Sequence, residues 1–253
     1  MKKLLCLVVL ICLPYAAWAA SEGVPLQKAQ IDINNVQSLQ RGARLFHNYC
    51  LSCHSAQYMR YKRMAADLEI PVDLVKENLM FGPAKIGDTM TIAMPAADAA
   101  NWFGKAPPDL TLTARQRGAD WLYTYLTSFY LDQSSPTGAN NLVFKDVGMP
   151  HVLWELQGWQ ALAGGHDDHA QPVQGEESTH GEPSEEMFEL VVPGSMTPEE
   201  YDRAVLDLVN YMAYIAEPIQ AKRQRVGIFV LLFLAIFGVF AYALKHEYWR
   251  DVH

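Results

Sequence analysis

The sequence predicts a mainly α protein with long loop insertions and one C-terminal transmembrane helix. Three observations carry that prediction. Apolar residues recur at helical spacing behind recognisable start signals, as after Thr197-Pro198-Glu199-Glu200. An uncharged run of nineteen residues, 226–244, lies close to the C-terminus. Between the helical stretches, Gly- and Pro-containing segments at 82–108 and 134–150 read as loops able to wrap a flat ligand.

The chain opens with Lys2 and Lys3, an apolar run over 4–13 and a small-x-small site at Ala17-Trp18-Ala19. This pattern reads as a secretory signal peptide over 1–20, leaving a mature chain that starts at Ala20 or Ser21. The run is short for a retained anchor. Cys6 and Cys12 leave with the signal, so Cys50 and Cys53 are the two cysteines that remain. No pair is left over for a structural disulfide.

Residues 36–49 form an amphipathic helix on this reading. Its Gly42 would let another helix approach closely, at a helix-propensity cost of about 1 kcal/mol relative to alanine. The helix leads into Cys50-Leu51-Ser52-Cys53-His54, a C-x-x-C-H run. Two thiols three positions apart can add to the two vinyl groups on one porphyrin edge. The following histidine then offers an imidazole nitrogen to the iron. A thioredoxin-like dithiol has the same C-x-x-C spacing, but the trailing His54 and the export signal speak against it. The chemistry expected of such a haem is one-electron transfer.

Further along, Pro107-Pro108-Asp109-Leu110 makes a turn that leads to a helical stretch over 120–130. From Asp146 to Asp202 there is no lysine or arginine, against thirteen carboxylates. Within that stretch, 164–189 is rich in Gly, His, Glu and Pro and reads as an acidic mobile loop, because it cannot bury enough apolar area to pack. Its sharper role would be to attract a basic redox partner in a salt-dependent way. His166, His169 and His180 fall here at a spacing that matches no metal-ligand pattern. Thr197 then caps a helix with Pro198 at its first position and Glu200 at its third. Its apolar stripe (Tyr201, Val205, Leu208, Val209, Met212, Ile215) should pack on the 36–49 helix, and it ends at Glu217-Pro218.

The apolar run 226–244 can cross a hydrocarbon layer of about 30 Å at about 1.5 Å per residue. Lys222, Arg223 and Arg225 flank it on one side and Lys245 and Arg250 on the other, with Tyr242, Tyr248 and Trp249 at interfacial positions. The cation count alone would keep the main domain in the cytoplasm; the signal peptide places it outside. The second reading suits a haem attached to an exported domain. It divides the chain into a signal at 1–20, a periplasmic haem domain at 21–222, an anchor at 226–244 and a cytoplasmic tail at 245–253. The formal charge is −8, and −10 without Lys2 and Lys3. With no basic stripe, nucleic acid is excluded as a partner.

Several quoted segments together resemble one family. Ser38-Leu39-Gln40-Arg41-Gly42, Tyr49 to Ser55 around the C-x-x-C-H run, Tyr58-Met59-Arg60-Tyr61, Pro107-Pro108-Asp109-Leu110, Gly148-Met149-Pro150 and the C-terminal Glu247-Tyr248-Trp249-Arg250-Asp251-Val252-His253 look like cytochrome c1. That is the haem-bearing subunit of the bacterial cytochrome bc1 complex. The likeness runs in order from about residue 36 to the C-terminus. It implies a class I cytochrome c-like haem domain and one covalently attached haem c.

The residues themselves leave two candidates for the sixth iron ligand: Met94 and Met149, each in a loop and each followed by proline. The resemblance favours Met149, since Gly148-Met149-Pro150 matches the shorter Met-Pro form of the family's site. It also implies Arg115 as a partner for a haem propionate, with Arg60 and Tyr61 as weaker choices. The metal ligands on this reading are His54 and Met149; Cys50, Cys53 and Arg115 hold the cofactor.

The implied role is a one-electron carrier, not an enzyme on its own. Cytochrome b and the Rieske iron–sulfur subunit would be its neighbours in a dimeric complex. Electrons from ubiquinol would reach it through the Rieske centre and leave to a soluble or membrane-bound cytochrome c. Two alternatives are a membrane-tethered cytochrome serving a terminal oxidase or another dehydrogenase, and a haem sensor or peroxidase-like protein with an open sixth position.

Overall fold

A computed structural model describes residues 24–163 and 187–250. The expected signal peptide and most of the acidic stretch 164–189 lie outside the described residues. Two helices organise the rest. Helix α1 spans Val36–Leu45 and starts where the Asn35 side chain accepts a hydrogen bond from the Ser38 N–H at 3.1 Å. Helix α8, Pro198–Ala216, carries a complete capping box: Thr197 Oγ1 accepts from Glu200 N, and Glu200 Oε2 accepts from Thr197 N at 2.9 Å. Glu217 caps its C-terminus and Pro218 follows, which ends it.

The two helices cross at Gly42. A Cβ there would stand 2.0 Å from the Asp207 carbonyl oxygen and 2.7 Å from Tyr211 Cβ. Hydrogen is the side chain that this approach admits. The crossing is clamped on both sides. Arg41 grips the Asp207 carboxylate through Nε and Nη2, the latter at 2.9 Å. Asn210 Nδ2 donates to Asp32 O at 2.8 Å and to Ser38 Oγ at 2.9 Å. Around it pack Leu39, Ala43, Phe46, Val205, Leu208, Tyr211 and Ile215, all buried. Burying each large apolar side chain contributes about 1.5–3 kcal/mol.

The expected 36–49 helix changes pitch before it ends. Residues Phe46–Cys50 form a π-helical turn, closed by Leu51 N–H donating to Phe46 O at 2.9 Å. Leu45, Phe46 and His47 are all buried along this stretch.

The middle of the chain holds more regular structure than expected. Strand β1, Ala56–Arg60, pairs antiparallel with β2, Thr89–Met90. Helices α2, Tyr61–Asp67, and α3, Val72–Asn78, lie between them. The expected loop 82–108 therefore contains β2 and also α4, Ala96–Phe103, which ends on Gly104 at φ 75°. Helix α5 is Thr113–Arg117; Gly118, at φ 91°, separates it from α6, Ala119–Thr127.

The expected helix 120–130 stops at Thr127, and β3, Phe129–Leu131, takes over, paired with β4, Ala139–Asn141. Side-chain amides account for the stop. Asn141 Nδ2 donates to Tyr125 O at 2.7 Å, and Gln160 Nε2 donates to Thr127 O at 2.9 Å and Phe129 O at 2.7 Å. These carbonyls have partners without further helix. Loop 134–150 likewise contains β4. A short helix α7, Trp154–Gln157, precedes β5, Gly158–Leu162, which pairs with β6, Phe188–Pro193. Glu189, expected in the acidic loop, sits in β6.

Helix α9, Gln220–Tyr248, contains the expected span. Residues Lys222–Tyr248 are long and apolar enough to cross a membrane, and the most apolar stretch within them is not buried against the rest of the described chain. An unburied apolar helix of this length suits lipid, not a protein core.

Candidate haem-binding site

Cys50 ends the π-helical turn, so its position is set by the core that holds Phe46 and His47. The next residues fold back on it: the N–H groups of Cys53 and His54 both donate to Cys50 O, at 3.1 and 2.9 Å. One tight turn thus brings two thiols and an imidazole together. The two cysteines are free of any disulfide, Cys50 buried and Cys53 half-buried. As a free thiol, Cys50 is pushed up to about 12, first by burial and then by Cys53. A nucleophilic dithiol needs a lowered value. Burial at Cys50 works against such a role. Thioether bonds, which consume both thiols, avoid that difficulty.

His54 is oriented by the second motif. Its Nδ1–H donates to Pro108 O at 2.8 Å. That assigns the proton to Nδ1 and leaves the lone pair on Nε2 for iron. Burial lowers the pKa of His54 and outweighs the opposing pull of Pro108 O and Asp109, so the imidazole stays neutral. The 107–110 segment is itself latched to the residues after the C-x-x-C-H run. Leu110 N–H donates to Ser55 O at 2.8 Å, and Gln57 N–H donates to Asp109 Oδ2 at 2.8 Å. Asp109 Oδ1 accepts from Thr111 N at 2.9 Å and Thr111 Oγ1 at 2.6 Å. The prolines hold an extended carbonyl aimed at His54, and the aspartate pins it.

Met149 sits in a second, smaller cluster with Phe129, Ala139 and Val147. Tyr125 O–H donates to its sulfur at 3.3 Å. Tyr125 packs against this cluster and the main core alike, so it joins the two. Met94, the other candidate, is half-buried and belongs to neither cluster.

Arg115 lies on α5 and is mostly exposed, 3.7 Å from Glu217 at the end of α8. Glu217 also accepts from Arg223 Nε at 2.6 Å and Nη2 at 3.1 Å. Arg115 thus belongs to a charge group where the domain meets the long helix. Of the weaker choices, Arg60 Nη1 donates to Gly87 O at 2.6 Å, and Tyr61 is buried in the core.

Four residues near the site carried no distinctive sequence signal. Arg117 stands 5.0 Å above the Trp121 ring, and Trp121 stacks on Tyr125. His47 and His151 are buried histidines whose Nε2 atoms have no partner among the described residues. Burial lowers each to about 4, so both are neutral at physiological pH. His151 stacks on Phe129 at 5.1 Å, next to the Met149 cluster.

The donor set suits a c-type haem: two available thiols, an imidazole with its tautomer assigned, and a thioether on a separate loop. Comparison with known proteins agrees. The Cytochrome C1 family model matches residues 27–158 and 188–252. Cytochrome c1 of Allochromatium vinosum is 48% identical over 253 residues, covering 100% of both chains. The ammonia monooxygenase gamma subunit of Nitrosomonas europaea is 47% identical over 100% of this chain and 99% of its own. Cytochrome c1 of Rhodospirillum rubrum is 29% identical over 94% and 92%. A family model spanning both the haem motif and the long C-terminal helix, with full-length identity near one half, makes this chain a member of the cytochrome c1 family.

Proposed function

We propose that Cys50 and Cys53 carry the haem of this cytochrome c1 family member, that His54 and Met149 are its axial ligands, and that Arg115 faces a propionate. The chain is the one-electron carrier of a cytochrome bc1 complex, with cytochrome b and a Rieske iron–sulfur protein as its neighbours. It is not a catalyst by itself. The haem supplies a reversible one-electron couple at iron. The chain supplies everything that makes the couple useful. The two thioethers hold the ring in one place. Pro108 O holds His54 by Nδ1, so that Nε2 would be the nitrogen to bind iron. A Met149 thioether as the second ligand would favour Fe(II) and raise the potential.

In this role the chain takes one electron from the Rieske centre during ubiquinol oxidation and passes it to a c-type cytochrome. No proton has to move through His54, whose Nδ1–H is committed to a carbonyl. The haem domain faces the periplasm on this proposal, with α9 as the single membrane span and 245–253 as the cytoplasmic tail. The signal-like residues 1–20 and the requirement of C-x-x-C-H haem attachment for an exported domain support that orientation. A dimeric complex is expected by family resemblance.

The observation that carries the site is the 2.8 Å bond from His54 Nδ1 to Pro108 O, because it makes this histidine a ready iron ligand. The test is a redox titration of the purified membrane complex. Met149→Leu should retain attached haem, lower its potential and abolish reduction by quinol. An unchanged potential would move the sixth ligand to Met94. b-type haem and a Rieske centre should co-purify; their absence would favour a tethered cytochrome serving another enzyme. Carbon monoxide binding by the reduced wild type at neutral pH would favour the sensor or peroxidase-like alternative.

A further inference from the structure

Tyr125 is held at both its ring and its backbone. Its ring stacks on Trp121 with centroids 4.9 Å apart and an interplanar angle of 11°. Phe129 meets it edge-on at 5.1 Å. Asn141 Nδ2 ties its backbone carbonyl to β4 at 2.7 Å. With ring and backbone fixed, the hydroxyl has a set direction, and it points at Met149 Sδ, 3.3 Å away. The half-buried phenol donates to that sulfur. Phe129, Ala139 and Val147 pack around the methionine.

We propose that Tyr125 is a positioning residue for the thioether ligand and that its hydroxyl raises the reduction potential of the haem. The proposal rests on Met149 being the sixth ligand. A thioether sulfur has two lone pairs, one for iron and one that can accept a hydrogen bond. The O–H draws electron density from the sulfur and makes it a weaker donor. Fe(III) loses more from a weaker donor than Fe(II) does, so the reduced state gains. The same bond opposes rotation of the sulfur away from the metal.

Tyr125→Phe removes the oxygen and keeps both ring contacts. In the purified complex, this variant should retain covalent haem and the far-red Met–iron(III) absorption band. Its potential should fall by about a threefold change in the reduction equilibrium, about 28 mV at 59 mV per tenfold. Added imidazole should displace the methionine from the oxidised protein at a several-fold lower concentration. An unchanged potential together with an unchanged imidazole titration overturns the proposal. Met149→Leu run alongside separates the two claims. If it abolishes the band while Tyr125→Phe is silent, only the role of Tyr125 fails. If it leaves the band and potential intact, the ligand assignment fails and Tyr125 has no ligand to position.

Discussion

Gly42→Ala sets two opposing effects against each other at the main helix crossing. Alanine favours helix over glycine by about 1 kcal/mol, so propensity alone predicts a more stable α1. The structure predicts the opposite. The new Cβ would stand 2.0 Å from Asp207 O, where ordinary contact begins at 3.4 Å. The difference, 3.4 − 2.0, requires the helices to part by about 1.4 Å, because the obstacle is backbone and cannot rotate aside. A gap of 0.5–1 Å already forfeits roughly a quarter to a half of each dispersion contact. Leu39, Ala43, Phe46, Leu208 and Tyr211 all lose contact together. Overpacking of this kind costs about 1–3 kcal/mol and occasionally more. The 1.4 Å demand puts this site at the upper end, so the net loss is about 2 kcal/mol. For a domain of this size that lowers Tm by about 4–8 °C. Thermal melting of the haem-loaded protein, followed by circular dichroism, measures it. A Tm equal to or above wild type would show that the helices yield freely at Gly42 and that the crossing is not tight.

Other outcomes follow from single residues. Cys50→Ala should leave one thioether and impair haem retention, read by a pyridine haemochrome assay and the mass of the polypeptide. His47 has a pKa of about 4 in the folded chain against 6.5 unfolded, so the unfolded state binds the extra proton between those values. Its contribution is present above pH 6.5 and is lost as pH falls toward 4, with a magnitude on the order of 3 kcal/mol. His47→Leu should therefore flatten the fall in stability over that window; a denaturant titration at several pH values with unchanged slope would refute the assignment. Deleting 164–186, which spares β6, should slow electron transfer to a basic cytochrome c at low salt and leave the haem spectrum intact. A rate indifferent to both deletion and salt would reduce the stretch to a spacer.

Much of the site could be read before any fold was known. Cys50, Cys53 and His54 are adjacent in the chain, and haem attachment needs them adjacent, so the chemistry is written locally. The cap at Thr197, the stop at Pro218 and the uncharged run 226–244 are local for the same reason, and the structure keeps all three. Errors came where a local signal met a distant partner. The helical pattern at 120–130 continued past Thr127, yet Asn141, Gln157 and Gln160 reach in from elsewhere and take the carbonyls that would have extended it. Segments read as loops from their Gly and Pro content hid β2 and β4, because a two- or three-residue strand leaves no periodicity to find.

The sequence by itself determined which atoms can bind a porphyrin and which segment can lie in lipid. Both depend on neighbours along the chain and on composition. The tertiary structure decided how those atoms are aimed. Pro108 O reaches His54 across 54 positions, and the Tyr125 hydroxyl reaches Met149 across 24. The packing of α8 on α1 at Gly42 was expected from the sequence, but that the contact falls on the Asp207 carbonyl was set by the geometry of the crossing. Each contact joins groups whose sequence separation carries no trace of their proximity, since packing of the core, not the order of residues, brings them within reach.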